Sequence, residues 1–291
     1  MNAVRGKYLG WLYTAPALLF VLVFMGYPFG RLVYMSLTNA SLLGGETFIG
    51  FANYTKAWND KQFWVSLLFT LKYTLYITPI LMGLGFLLAL LTAENTPIKK
   101  LTRAIIFLPV VIGLAASSLL WFWLFDQQVG LINKLLVDIG ILSAPITWFT
   151  NTDLALWAII WSIVWKVVGF GMILFVAGIQ SIDDEIIEAA TIDGASYWQR
   201  VLRIVLPLCL RTLLLATLIS VIGSMLAFDQ FKVITAGNPR GQTFTSVYWI
   251  YQNSFTFFKL GYGAALSIIL TLIILCFASI QIMLVRRMRK A

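Results

Sequence analysis

Long apolar runs dominate this sequence and limit what it can fold into. They cover about residues 8–29, 65–91, 104–125, 154–179, 208–231 and 263–285. Each reaches the roughly 20 residues that cross a bilayer core as a helix, at about 1.5 Å per residue. Backbone in hydrocarbon must satisfy its own hydrogen bonds, and runs of this length do so as helices. Only 11% of residues are charged and 60% are hydrophobic, whereas a soluble domain carries roughly 25% charged residues. The expected fold is therefore all-α: a polytopic membrane protein of six transmembrane helices forming one domain over 1–291. The first run is longer than a signal-peptide core and shows no clear small-residue cleavage site, so it is expected to be an uncleaved span. Pro16 and Pro28 are expected to kink or end it.

The charge excess of +9 points to membrane topology, not to nucleic acid, because Lys and Arg collect in cytoplasmic loops. With six spans, both termini lie on one side. That side, with the loop at 94–103 and the region from 180 to Arg211, carries twelve Lys and Arg against seven on the other. The termini are thus expected in the cytoplasm. Cys209 and Cys276 both fall in apolar runs and read as buried structural thiols. Histidine is absent, which removes the commonest general base and metal ligand. A short amphipathic helix is expected near Val129–Val137. Trp58, Trp64, Trp121 and Trp123 suit the headgroup level.

The longest polar interruption with helical character is Glu188–Pro207, EAATIDGASYWQRVLRIVLP. Five acids fall between Asp183 and Asp193, and Arg200, Arg203 and Arg211 follow. Ser181 with Asp184, and Ser196 with Gln199, have the spacing of helix N-caps. Gly194 between them permits the positive φ that ends one helix before the next begins. Two short helices are expected here, although an ordinary solvated amphipathic loop has the same composition.

Glu188-Ala189-Ala190, then Gly194, Ile204, Leu206 and Pro207 at their spacings, resemble the EAA loop of the permease subunits of bacterial ABC importers. Phe48-Ile-Gly-Phe-Ala-Asn-Tyr54, Arg103-Ala-Ile-Ile-Phe-Leu-Pro109, Gly130-Leu-Ile-Asn133 and Phe228-Asp229 resemble segments of the carbohydrate-uptake branch, the maltose and glycerol-phosphate type. The resemblance implies a permease subunit in the bacterial inner membrane that forms the path for a sugar. It implies as partners a second, related permease chain, two ATP-binding subunits and an extracytoplasmic substrate-binding protein, besides membrane lipid. It also implies that Glu188, Ala189, Ala190, Asp193 and Gly194 couple the chain to the ATPase. Glu188 would make a polar contact, the alanines a close-packing surface, and Gly194 and Asp193 the turn. One departure is Gly237-Asn238-Pro239-Arg240-Gly241, where the family often has Gly-Gly-Pro. Asn238 is expected to keep the turn chemistry, because Asn visits positive φ more readily than most residues.

Ionisable groups inside spans are costly and so mark function or a specific structural need. Lys166 and Asp229 are candidates for the substrate path, paired with each other or with sugar hydroxyls. A lysine that caps carbonyls and an aspartate at a helix end are the plain alternatives. Lys72 is expected to snorkel. Sugar rings stack on aromatic faces, so Phe228, Tyr248 and Tyr251, with Ser224, complete the candidate path. Each also fits ordinary packing. The sequence has no GxxxxGK[ST] phosphate loop and no Cys/His metal pattern, so no cofactor and no catalytic site are expected. ATP hydrolysis would then lie in a separate subunit. The alternatives are an ABC permease for an amino acid or phosphate, and an ion-coupled secondary transporter.

Overall fold

The computed structural model describes residues 13–288. The expectations for Met1–Lys7, the first residues of the 8–29 run, and Arg289 and Lys290 fall outside them. The described chain is helical, and its one strand-like contact is an isolated bridge between Thr38 and Phe48. It divides into two compact units, Met1–Lys61 with Trp249–Ile273, and Gln62–Tyr248 with Ile274–Ala291. Four helices are long and apolar enough to cross a membrane: α1 (Tyr13–Ser36), α3 (Lys61–Thr92), α7 (Thr152–Gln180) and α12 (Leu260–Met288, apolar to Met283). Two bent pairs raise the count to six if each pair is one span: α4 (Pro97–Val111) with α5 (Leu114–Leu124), and α9 (Tyr197–Leu208) with α10 (Leu210–Met225). The short helices are α2 (Ala52–Trp58), α6 (Leu131–Asp138), α8 (Asp184–Ile192) and α11 (Ser246–Tyr251).

Three spans differ from the expected runs. The 104–125 run is not one rod, because the chain turns by 95° between α4 and α5. Pro109 lies in the last turn of α4 and Ile112 takes an extended backbone. A second bend, of 67°, falls after α9. The 208–231 run stops being helical after Met225 and resumes only at Asp229, before the π-turn Phe231–Thr235. The first run does not end at Pro28, since α1 continues to Ser36. A proline ring clashes with the carbonyl four residues earlier. Here a widened π-turn, Leu22–Gly26, lies in that position. The same arrangement recurs at Pro207, which follows the π-turn Val201–Val205. Cys209 is buried as expected, but Cys276, in α12, is exposed.

In the first unit, Asn53 ties down the chain that leaves α1. Its Nδ2 donates to the carbonyls of Ser36 (2.9 Å) and Thr38 (2.8 Å), and the Ser36 hydroxyl meets the Tyr54 hydroxyl at 2.7 Å. Asp60 Oδ2 accepts from Trp249 Nε1 (3.0 Å) and from the Tyr262 hydroxyl (2.6 Å).

In the second unit, α7 is the central element. Lipid tails are as apolar as leucine, so helices in a membrane associate through close packing, and small residues permit it. Met172, Phe175 and Val176 of α7 form a core with Ala89 of α3 and Ala216 of α10. A Cβ on Gly169 would strike the backbone of Ile106 and Phe107, so α4 crosses α7 where only glycine fits. Lys72 on α3 pairs with Asp153, in the first turn of α7, at 2.6 Å. Its charge is thus met by an acid, beyond the expected snorkelling.

Candidate functional site

Two places in the second unit gather the candidate residues. The first is a cavity of about 210 Å³ lined by α3, α7 and α10, with Gln230 and Leu114. Most of its wall is apolar. Its polar groups are the hydroxyls of Tyr73, Ser220 and Ser224 and the amide of Gln230. Ser224, one of the sequence candidates, lines this cavity, and its hydroxyl donates to the Val221 carbonyl at 3.0 Å. Gln230 is 4% exposed and its Oε1 accepts no hydrogen bond among the described residues. A buried amide oxygen without a donor is costly, by about 1–3 kcal/mol, so a hydroxyl entering the cavity would meet an acceptor with no protein donor of its own. Tyr73, Ser220 and Gln230 were missing from the sequence reading. Ser220 and Ser224 share a helix face at i, i+4, which was the available signal.

The other candidates are divided. Lys166 lies in α7, 7% exposed. Its ammonium donates to the carbonyls of Pro109 (3.3 Å), Val110 (3.4 Å) and Ile112. These carbonyls belong to the end of α4 and the bend after it, where the helix leaves carbonyls without an intrahelical donor. The positive charge also suits the negative end of the helix dipole. The expected pairing of Lys166 with Asp229 is not formed among the described residues. Asp229 is half-buried, at the start of the helical turn after α10. Phe228 packs edge-on against Tyr248 (5.7 Å between centroids), which also meets Phe244 edge-on (4.7 Å). Neither Phe228 nor Tyr248 lines the cavity. Tyr251 belongs to the first unit and stacks near Phe255.

The second place is the 180–207 loop. Two short helices form, as expected, but the first is capped differently. Ser181 does not cap α8, since its hydroxyl donates to the Gly178 carbonyl and it closes α7. Asp183 occupies the N-cap position of α8. Ser196 and Gln199 do form a reciprocal capping box at the start of α9. Gly194 has φ +76°, and the N–H groups of Gly194 and Ala195 donate to the carbonyls of Thr191 and Ala190. Asp193 is the C-cap of α8. Arg200 Nη1 reaches the Thr191 hydroxyl at 2.6 Å and fixes α9 against α8.

Glu188 and Ala189 are exposed, but Ala190 is turned into the chain's own fold at 9% exposure. The expected two-alanine surface is therefore narrower, because successive helix residues face directions about 100° apart. The large exposed apolar groups of this loop are Ile192 (87%), Trp198 (60%), Leu202 (60%), Tyr197 and Ile186. The loop packs onto the ends of the long helices through Gln180, whose Nε2 donates to the Ala93 carbonyl at 2.6 Å.

A family model, the binding-protein-dependent transport system inner membrane component, matches residues 62–290. The chain belongs to this family. Inner membrane components are multi-pass, non-catalytic subunits, in keeping with the apolar helices above. Among curated relatives, the chain is 34% identical over 277 residues to the lactose transport system permease protein of Rhizobium radiobacter. That match covers 94% of this chain and 92% of the relative. It is 32% identical to the sulfoquinovosyl glycerol transport system permease protein of Agrobacterium fabrum, covering 94% and 89% of the two. Among solved structures, the fold is similar to a chain of a bacterial alginate ABC transporter in complex with alginate pentasaccharide-bound periplasmic protein. That likeness has a TM-score of 0.86 at 22% identity and covers 100% of this chain and 98% of that one.

Proposed function

We propose that this inner membrane component is the permease subunit of an ATP-driven sugar importer, with six spans and both termini in the cytoplasm. The end-to-end similarity to permeases named for lactose and for a sulfoquinovosyl glycerol carries the sugar assignment. The cavity supports it physically. A sugar hydroxyl can donate to the Gln230 carbonyl and to the Ser220 and Ser224 oxygens, whose own protons go to Thr78 Oγ1 and the Val221 carbonyl, so the apolar wall carries a small group of acceptors. Asp229, Phe228, Tyr248 and Tyr251 stay as candidates for the path. Lys166 serves the path by holding the α4–α5 bend rather than by touching sugar.

The six-span reading takes each bent pair as one crossing, and the density of Lys and Arg in the 94–103 loop supports a cytoplasmic position for that loop, the termini and the 180–207 loop. The 180–207 loop then meets a separate ATPase subunit. Its exposed Ile192, Trp198 and Tyr197 are large side chains beside charged ones, the composition of an interface, and Glu188 and Ala189 lie on the open surface of the same loop. A second permease and an extracytoplasmic binding protein complete the importer, as the binding-protein-dependent family implies. The test is purification from native membrane with mass spectrometry of the retained subunits, followed by ATP-driven uptake of disaccharides in proteoliposomes. A co-purifying ATPase and binding-protein-dependent sugar uptake are expected. Solute movement by the chain alone, without ATP, would refute the reading.

A further inference from the structure

The first unit holds a pocket of about 340 Å³ that no part of the transport reading uses. It is lined by Asn39 and Leu43 of the turn after α1, by Lys56 of α2, and by Phe257, Lys259 and Tyr262 at the start of α12. Two lysines thus face one small space. Neither takes part in an ion pair among the described residues. Asp60 attracts Lys56, but its Oδ2 is already held by Trp249 and Tyr262. Lys56 Nζ lies 4.0 Å from the centre of the Tyr262 ring, and Lys259 Nζ lies 5.8 Å from that of Phe257. Partial burial and the neighbouring Lys259 push the Lys56 ammonium down from the usual lysine range. Like charges brought together repel, and a bound anion relieves the repulsion.

The position of the pocket selects the kind of anion. Lys259 directly precedes Leu260, the first residue of a membrane-length apolar helix. The pocket therefore sits at headgroup depth, where aromatic and basic residues anchor a protein. Leu43 (80% exposed) and Phe257 give it open apolar surface. That surface suits acyl chains and has no counterpart in a small soluble anion.

We propose that Lys56 and Lys259 bind the phosphate of an anionic phospholipid, with its acyl chains lying against Leu43 and Phe257. Basic residues near a charged bilayer contribute about 1 kcal/mol each, which is roughly fivefold in affinity per lysine and about thirtyfold for both. The site is independent of which solute the chain carries.

The experiment uses the intact transporter in nanodiscs of equal phosphatidylglycerol and phosphatidylcholine, followed by detergent extraction and quantitative mass spectrometry of the retained lipid. Retained phosphatidylglycerol is expected to exceed phosphatidylcholine. It should fall about fivefold in Lys56→Gln or Lys259→Gln and about thirtyfold in the double variant. Lys56→Arg with Lys259→Arg should keep it, and Lys134→Gln should not change it. If the double variant does not assemble, the two single variants carry the comparison. Equal retention in the parent and the glutamine variants would overturn the proposal. Displacement of the lipid by millimolar inorganic phosphate would mark a small-anion site and overturn it equally.

Discussion

Replacing Lys166 by methionine separates a structural lysine from one that touches solute. Methionine keeps the apolar stem and removes the charge, so the carbonyls of Pro109, Val110 and Ile112 lose their donor. The gain from the three bonds is offset in part by the cost of holding an ammonium out of water. Side-chain hydrogen bonds in a membrane contribute on average about 0.6 kcal/mol and at most about 1.7. Three of them put Lys166→Met at roughly 2–4 kcal/mol, localised at the α4–α5 bend. By the scaling for chains of about this size, the loss corresponds to a fall in Tm on the order of 5–10 °C. Lys166→Arg keeps a cation within reach and should recover much of it. The assay is thermal unfolding of the purified complex, followed by size-exclusion fluorescence, alongside sugar uptake at several concentrations. Loss of stability with an unchanged apparent KM in the surviving fraction is expected. A methionine variant as stable as the parent, but with a raised KM, would refute the capping argument and put Lys166 in the path.

Gly194→Val forces a β-branched side chain into φ +76°, a strain of about 1–3 kcal/mol. Membrane insertion should persist while ATP hydrolysis and transport uncouple, and unchanged transport per ATP would oppose the coupling role. Asn53→Leu leaves the buried Ser36 and Thr38 carbonyls without their donor. It should cost about 2 kcal/mol or more and lower the Tm of the complex without changing KM. The backbone N–H groups of Gln128 and Val129 hold the Asp126 carboxyl below the usual carboxylate range. A depressed folded pKa gives stability that is present above the unfolded pKa of about 4 and lost as pH falls through the folded one. Amide exchange in the 126–129 turn should therefore rise only below about pH 4, and Asp126→Asn should remove that dependence.

The long helices were legible because their signal is length and apolarity, which no neighbour has to supply. α3 and α7 begin and end within four residues of the runs that predicted them. The bends were not legible. Pro109 and Pro207 mark places where a helix can break, but Pro28 carries the same mark and its helix continues. What decides is a partner distant in sequence, such as the Lys166 ammonium waiting for the carbonyls of α4. The capping box at Ser196 was readable because both members lie within one turn. The Ser181 cap failed because α7 claims that hydroxyl first, and no local pattern shows where a preceding helix stops. Ala190 failed for a related reason: the alanine pair was read as one surface, whereas a helix turns consecutive residues apart.

The polar residues within this apolar chain sort by what each one satisfies. Backbone that leaves helical geometry at membrane depth needs donors and acceptors from side chains. Lys166 supplies them at the α4–α5 bend. Thr245 supplies one at the break after α10, where its hydroxyl donates to the Ala227 carbonyl at 2.7 Å. Thr70 supplies another, accepting from the Ser246 N–H at 2.9 Å. Of these, Lys166 looks functional in the sequence and is accounted for by the fold. Five buried side-chain atoms, on Ser66, Thr74, Trp121, Gln230 and Gln281, keep no partner among the described residues. Of these, only Gln230 lines the cavity shared by Ser220 and Ser224. The amide one residue beyond Asp229, not the charged residues themselves, is therefore where the fold leaves a hydrogen bond unmade at the cavity wall.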